Sequence, residues 1–179
     1  MHPITLRLTA AGYTPWVPIN RLQTSFNVGL AAVLSSGASM TYTVEYSLDN
    51  PNGPMNLTQE FTLSRTTTVL TVTKTAHGLS VGDWAKLWGN GGAPLDAEFA
   101  AVASVVDANN FTLTVADAGL SAGNGVGWLQ TMRATSLAAM AAKTATVASN
   151  LTFPVIATRL HVSTYGSGTV DFNVIQGRG

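Results

Sequence analysis

The side chains that most often carry chemistry in proteins are few and scattered in this sequence. None of the 179 residues is a cysteine, so thiolate nucleophiles, disulfides and cysteine-based metal sites are excluded. The three histidines, His2, His77 and His161, stand far apart, and no carboxylate spacing completes a metal or catalytic site around them. We therefore predict a turn or surface role for His77, and no metal site.

Two acidic groups could mimic functional sites. Asp96 and Glu98 would share one face of a strand, but such neighbours do not flank a glycosidic bond from two sides, as hydrolysis requires. Asp107, Asn109 and Asn110 offer the hard oxygen ligands that Ca²⁺ prefers. A hairpin turn explains these three residues more simply. We interpret the first pair as part of a solvated loop and the second group as a turn.

The glycine-rich stretches at residues 89–92 and 123–127 lack the features of nucleotide-binding loops. Neither carries the lysine of a phosphate-binding loop or the strand-to-helix setting of a dinucleotide site. Ser167 lies between two glycines, but the spacing of a nucleophile elbow is missing. We predict turns at these positions. The sequence thus predicts a protein that is not an enzyme and holds no cofactor.

The composition indicates a folded protein with an unusually uncharged surface. Hydrophobic residues make up 46% of the chain, enough for a core, whereas charged residues make up 10%, with nine cationic and nine anionic side chains. A surface of Ser, Thr, Asn and Gly is easier to desolvate than one of Lys and Glu, so it favours burial against partners. The balanced charge argues against nucleic acid as a partner. With no signal-peptide pattern and no apolar run of membrane-spanning length, we predict a soluble protein made in the cytoplasm, without a membrane partner.

Apolar residues alternate with polar ones in both end segments of the chain, as in half-buried strands. The clearest alternation places five apolar side chains on one face: Met40, Tyr42, Val44, Tyr46 and Leu48. The same period recurs in four further segments: Ile4, Leu6 and Leu8; Phe26, Val28 and Leu30; Ile156, Thr158, Leu160 and Val162; Val170, Phe172 and Val174. Residues 165–168 (YGSG) tolerate positive φ, so we predict a tight hairpin between the last two strands.

The middle of the chain predicts a separate β-module. Strands are expected at residues 66–75, 84–88, 99–106 and 111–115, followed by a flexible stretch at 119–127. The only helical signal, at 137–142, is sufficient for one or two turns. We therefore predict an all-β protein: a jelly-roll-like β-sandwich from residues 1–57 and 130–179, with a small barrel-like domain inserted at 58–129. Insertions into surface loops add little loop-closure entropy.

Two end motifs resemble those of bacteriophage virion proteins with a β-sandwich or jelly-roll fold. They are the segment YTVEYSLD from Tyr42 and the pattern AxRLxV…GxVxFxVxQG over residues 157–177. In addition, residues 76–83 (AHGLSVGD) together with 102–113 look like a small β-module recurrent in phage tail and capsid proteins.

This resemblance implies a capsid decoration (cement) protein on the surface of the virion. Such a protein binds the major capsid protein and copies of itself, often as a homotrimer, after assembly in the host cytoplasm. The alternative that the resemblance leaves open is a tail fibre or tail tip component that binds a receptor or glycan. We expect two cationic residues, one aromatic residue and one loop residue to be exposed and to contact partners. These candidate partner contacts are Arg7, Arg21, Trp88 and Asn90.

Overall fold

Alternating apolar residues form strands in both halves of the chain. A computed structural model describes residues 3–22, 26–49, 61–89, 97–115 and 123–176, and for 88–89, 97–99 and 123–128 the description covers the backbone. The chain divides into two units, Met1–Leu48 with Thr135–Gly179, and Asp49–Ala134. The predicted all-β class, with a sandwich-like fold and a barrel, is confirmed.

The first unit is a sandwich of two antiparallel sheets. Its strands are β1 (Ile4–Leu8), β2 (Gly12–Tyr13), β3 (Val17–Pro18), β4 (Val28–Leu34), β5 (Ser39–Ser47), β12 (Thr135–Ser136), β13 (Val147–Leu151), β14 (Ala157–Ser167) and β15 (Val170–Gln176). The four-stranded sheet has the order β1-β15-β4-β13. The five-stranded sheet has the order β12-β5-β14-β2, with β3 also beside β14. The first and last strands of the chain are therefore direct neighbours.

The inner faces of these two sheets form the core of the sandwich. Alternate residues of each strand point inward and are buried: Val28, Leu30, Ala32, Tyr42, Val44, Leu160, Val162, Val170, Phe172 and Val174. The buried hydroxyl of Tyr42 donates a hydrogen bond of 2.7 Å to the carbonyl of Ala145, so its polar atom is satisfied. A single 3₁₀ turn at Ala138–Met140, where one or two helical turns were predicted, buries Met140.

The hairpin predicted at residues 165–168 is wrong. β14 pairs with β5 and β15 pairs with β4, so the turn is an arch that crosses from one sheet to the other. A second arch connects β4 to β5, and the two arches lie side by side. The amide of Ser35 donates to the carbonyl of Thr169, and the amide of Thr169 donates to Oγ of Ser35, both at 2.9 Å. Gly37 and Gly168 supply the positive φ that these turns require.

The second unit is a closed antiparallel barrel. Its strands are β6 (Phe61–Thr66), β7 (Val69–Thr73), β8 (Trp84–Gly89), β9 (Ala97–Asp107), β10 (Asn110–Thr114) and β11 (Gly123–Met132). Their order around the barrel is β10-β7-β6-β11-β8-β9, with β9 closing onto β10. The interior is filled by apolar side chains, among them Leu63, Leu70, Val72, Leu87, Val102, Phe111 and Leu113.

Two predictions within the barrel need correction. The strand predicted over 66–75 is the turn and second strand of a hairpin, since β6 and β7 pair around a turn at Thr67. Residues 123–127, predicted as a flexible turn, belong to β11, whose backbone pairs with β6 and then with β8. Glycine disfavours strands on its own, but here the neighbouring strands supply the hydrogen bonds.

Asp49 and Arg133 mark the two ends of the inserted unit. The guanidinium of Arg133 donates to both carboxylate oxygens of Asp49, at 3.0 and 2.7 Å, and its backbone amide donates to the same carboxylate at 2.7 Å. Although burial by itself raises the pKa of Asp49, these bonds and the charge of Arg133 lower it overall. The structure thus places the ends of the insertion at residues 49 and 134, where 58 and 129 were predicted.

Candidate functional site

Arg7, a predicted partner contact, is already engaged within the sandwich. It lies on β1 and donates from Nε and Nη2 to the two carboxylate oxygens of Asp171 on β15, at 2.6 and 2.7 Å. The hydrogen bond and charge of Asp171 raise the pKa of Arg7, and the pKa of Asp171 is lowered in turn. The Arg7 side chain is 62% exposed, so it can still touch a partner, but as half of a neutral pair.

The other predicted contacts fall in different places. Arg21 is exposed in a turn after β3 of the sandwich. Trp88 lies on β8 of the barrel, where its backbone is in register with Trp128 of β11. Asn90 lies outside the described residues, as does Asp96 of the acidic pair discussed above. The predicted contacts therefore belong to both units.

His77 is in a turn, as predicted, but it is buried. The amide of Leu79 donates to its Nδ1, and its Nε2 lies 3.0 Å from the carbonyl of Asp107. Since Nδ1 accepts a hydrogen bond, Nε2 carries the proton and donates it to that carbonyl. The ring also packs against Phe111, with 4.9 Å between centroids. His77 thus ties its loop to the β9–β10 turn and has a structural role.

The AHGLSVGD segment is held at its other end by Asp83. One carboxylate oxygen accepts from the amide of Ser80 at 2.8 Å, and the other accepts from the amide of Ala134 at 2.7 Å. The backbone carbonyl of Asp83 accepts from the amide of Val102. This motif is therefore a turn whose polar side chains satisfy backbone amides, and this accounts for its histidine and aspartate without invoking catalysis.

Asp107, Asn109 and Asn110 form the predicted hairpin turn between β9 and β10. The carboxylate of Asp107 accepts from the amide of Asn109 at 2.7 Å and from the side-chain nitrogen of Asn110 at 3.0 and 2.9 Å. The side chain of Asn110, followed by the amide of Asn109, lowers the pKa of Asp107. Both oxygens are thus committed to the turn. The described part of the chain contains no group of three or more His, Cys, Asp or Glu suited to a metal ion.

A buried ion pair lies on the face of the five-stranded sheet that points away from the core. Arg159 on β14 is in register with Glu45 on β5, and its Nε donates to a carboxylate oxygen of Glu45 at 2.7 Å. The Arg159 side chain has no solvent exposure. Its guanidinium carbon lies 4.2 Å from the ring centroid of Tyr13 and 4.5 Å from that of Trp16. Two aromatic rings therefore shield the cation from water.

His161 extends this cluster toward solvent. Its ring stacks on Tyr13 with 4.2 Å between centroids, and Nδ1 is 3.5 Å from the second carboxylate oxygen of Glu45. Burial by itself raises the pKa of Glu45, but His161 and Arg159 together outweigh it, so the pKa lies below its usual range. Glu45 therefore remains ionised next to the buried guanidinium.

The cluster fixes the segment between β2 and β3 to β14. Between Tyr13 and Trp16, Thr14 exchanges two hydrogen bonds of 2.9 Å with the backbone of Leu160. Alternation placed Arg159 on the outer side of its strand, but a period-two pattern carries no information about what covers that side. The one available signal was an arginine within a mainly apolar segment, residues 155–162. Because the guanidinium is enclosed, it does not form an exposed anion-binding site. The cluster instead stabilises the packing of the β2–β3 segment against β14.

The opposite side of the sandwich carries exposed and partly exposed side chains. The outward side chains of the four-stranded sheet, here called the outer face, form three cross-strand rows: Asn150, Gly29 and Ile175; Ala148, Ala31, Asn173 and Thr5; Val33, Asp171 and Arg7. Thr5 donates to Asn173 at 2.6 Å. A shallow depression of about 370 Å³ lies among Gly29, Ala31, Ala148, Asn150 and Ile175. The outer face is thus small-residue and aliphatic at one end, with a neutralised ion pair at the other.

Within the described ranges, no helix is both long and apolar enough to span a bilayer. No protein-family model matches the sequence, and no curated protein matches it.

Proposed function

We propose that this chain is a bacteriophage capsid decoration protein, which binds the outer surface of the head and stabilises contacts between major capsid subunits. The observation that carries the proposal is the outer face. Among the residues that the structure describes, its ion pair of Arg7 with Asp171 is neutral as a whole, and the remaining side chains are small, amide or aliphatic. Such a surface loses little hydration energy when a partner covers it.

The sequence supports the same role. The chain is 10% charged with a net charge of zero, and its end motifs resemble those of phage decoration proteins. By that resemblance, it associates as a homotrimer on the shell and acts by binding alone. Arg21, Trp88 and Asn90 are proposed as further contacts.

The proposed mechanism is stabilisation by mass action. A protein that binds the assembled shell but not its free subunits shifts the equilibrium toward the shell. At a free concentration one hundredfold above its Kd, each bound copy contributes about 2.7 kcal/mol. Many copies on one head multiply this effect.

The test compares phage particles made with and without this protein. We expect particles that lack it to lose DNA at lower temperature and under lower internal pressure, and we expect the purified protein to restore resistance when added back. Val106→Lys, whose side chain is exposed on the barrel, serves as the control and should restore the same resistance when added back. Equal resistance of particles with and without the protein would refute the cementing role.

The location on the virion is tested independently by immunogold labelling. We expect the label to lie over the head. Label confined to the tail would contradict the decoration proposal and favour the fibre or tip component that the resemblance left open.

A further inference from the structure

We propose that the outer face binds the outer face of a second copy of this chain about a twofold axis, with Ile175 of each copy seated in the depression of the other. The contact concerns the free protein in solution. Because the outer face is also the surface proposed to meet the shell, a copy bound to the shell through this face cannot form it.

The outer face carries a projection and a hollow side by side. Ile175 is 55% exposed although it is a large aliphatic residue. In the same cross-strand row, Gly29 contributes no side chain, and Ala31 and Ala148 in the next row are small. A Cβ at Gly29 would lie 3.7–3.9 Å from atoms of Ile175 and Asn150, which is ordinary van der Waals contact. Crowding therefore does not require glycine at this position, and the absence of a side chain there creates the hollow.

The hollow is large enough for such a side chain. Its volume is about 370 Å³ and it is open to solvent, so a side chain of a second copy can enter it from above. A twofold contact requires a surface that is complementary to itself. A projection beside a matching hollow meets this requirement, because the projection of each copy enters the hollow of the other and both contacts form at once.

Charge favours a second copy over a charged partner. Among the described residues of the outer face, Arg7 and Asp171 are the ionic groups, and they neutralise each other. Two such faces meet without repulsion, whereas a strongly acidic or basic partner would find no opposite charge to compensate its desolvation.

The area sets the expected strength. The four strands lie about 4.8 Å apart, two with seven residues and two with five. They give roughly 400 Å² per copy, or about 800 Å² in total, below the roughly 1,200 Å² of standard stable interfaces. The contact is therefore weak in dilute solution, and it strengthens when copies are held close together, because tethering raises their effective concentration.

The test measures association of the full chain by sedimentation equilibrium over a wide concentration range. We expect reversible dimerisation for the unchanged protein, and weakening of at least about tenfold for Ile175→Lys, because both symmetric contacts are lost together. Val106→Lys replaces a 65% exposed aliphatic residue on the barrel and should leave the dimer unchanged. Circular dichroism verifies that each variant is folded.

A mixing experiment tests the geometry. Ala148→Asp alone should also weaken the dimer. In an equimolar mixture with Ile175→Lys, one lysine faces one aspartate while the second contact keeps its original residues, so association should exceed that of either variant alone. Association that is absent in the unchanged protein, that is insensitive to Ile175→Lys, or that shows no gain on mixing would overturn the proposal.

Discussion

The two units treat the edges of their sheets in opposite ways. Every barrel strand has a neighbour on both sides, so its backbone hydrogen bonds are used internally. In the described part of the sandwich, β1 and β13 each pair on one side only. Neither edge is protected by proline, which does not occur in these two strands. The barrel therefore uses all its strand edges internally, whereas within the described residues the four-stranded sheet of the sandwich leaves its outer face and the edges of β1 and β13 available to partners.

The units also differ in how far apart their paired residues lie in sequence. β6–β7 and β9–β10 are hairpins, whereas Ile4 of β1 pairs with Val174 of β15. Loop closure over such a distance must be offset by strong contacts at a few points. The sandwich should therefore be more sensitive than the barrel to single substitutions at the points that hold its distant segments together.

The largest effect is expected from Arg159→Met. The substitution leaves the carboxylate of Glu45 buried beside an apolar side chain, and breaking a buried pair in this way costs about 3–5 kcal/mol. Urea denaturation should show this loss in the free energy of unfolding of the sandwich, with the barrel signals unchanged.

Two controls separate the buried charge from simple loss of a contact. The double variant Arg159→Met with Glu45→Leu removes both charges and should recover most of the lost stability. Arg7→Met removes an exposed pair that solvent screens, so it should cost much less than Arg159→Met. If Arg159→Met costs no more than Arg7→Met, the buried cluster does not stabilise the sandwich as inferred.

The next largest effect concerns the arches that connect the two sheets. Gly168 has φ of +90°, and a Cβ there would lie 2.5 Å from the Cβ of Ala38. Gly168→Ala should therefore cost about 2–4 kcal/mol, from backbone strain and overlap together. At Gly37, φ is +72° with no atom within 4 Å of the added Cβ, so Gly37→Ala should cost about 1–2 kcal/mol from strain alone. Equal losses in thermal unfolding would show that the overlap is relieved by movement of the arch.

In the barrel, His77→Ala should have a moderate and local effect. It removes two hydrogen bonds, each contributing about 1 kcal/mol, and leaves the amide of Leu79 without its acceptor. Hydrogen exchange should quicken at Leu79 and in the β9–β10 turn. His161→Ala, in the sandwich, is the matched control and should not change exchange at these positions. Faster exchange spread evenly over both units would contradict a local role.

The sequence allowed the strands to be predicted, but not all of their connections. The alternation at Met40, Tyr42 and Val44 located β5, because burial on one face leaves a period of two. It could not distinguish the arch before Gly168 from a hairpin, since both turns use the same residues. Nor could it show that the glycines of β11 lie in a strand, because the hydrogen bonds that hold them there come from β6 and β8.

The candidate sites were harder to predict than the strands. The side of the strand on which Arg159 lies followed from alternation, but its cover by Tyr13 and Trp16 depends on Thr14 binding Leu160, 146 residues away. The outer face likewise combines residues from β1, β4, β13 and β15, which no local pattern brings together. Proximity between distant segments is set by packing of the whole unit, and one sequence does not report it.

The smallest effect expected is the pH dependence that Glu45 gives to the sandwich. Its pKa in the folded state lies below the ordinary value of 4.5, so its ionised form stabilises the fold fully above about pH 4.5. As the pH falls below that value, the unfolded chain takes up a proton first, and the stabilisation is lost until the folded carboxyl is protonated too. Unfolding free energies of the sandwich measured between pH 6 and pH 3 should decline for the unchanged protein and less steeply for Glu45→Gln. Asp171 is also shifted downward but is paired at the surface, so Asp171→Asn should flatten the decline less than Glu45→Gln does. The reverse order would mean that the exposed pair, and not the buried cluster, makes the sandwich sensitive to acid.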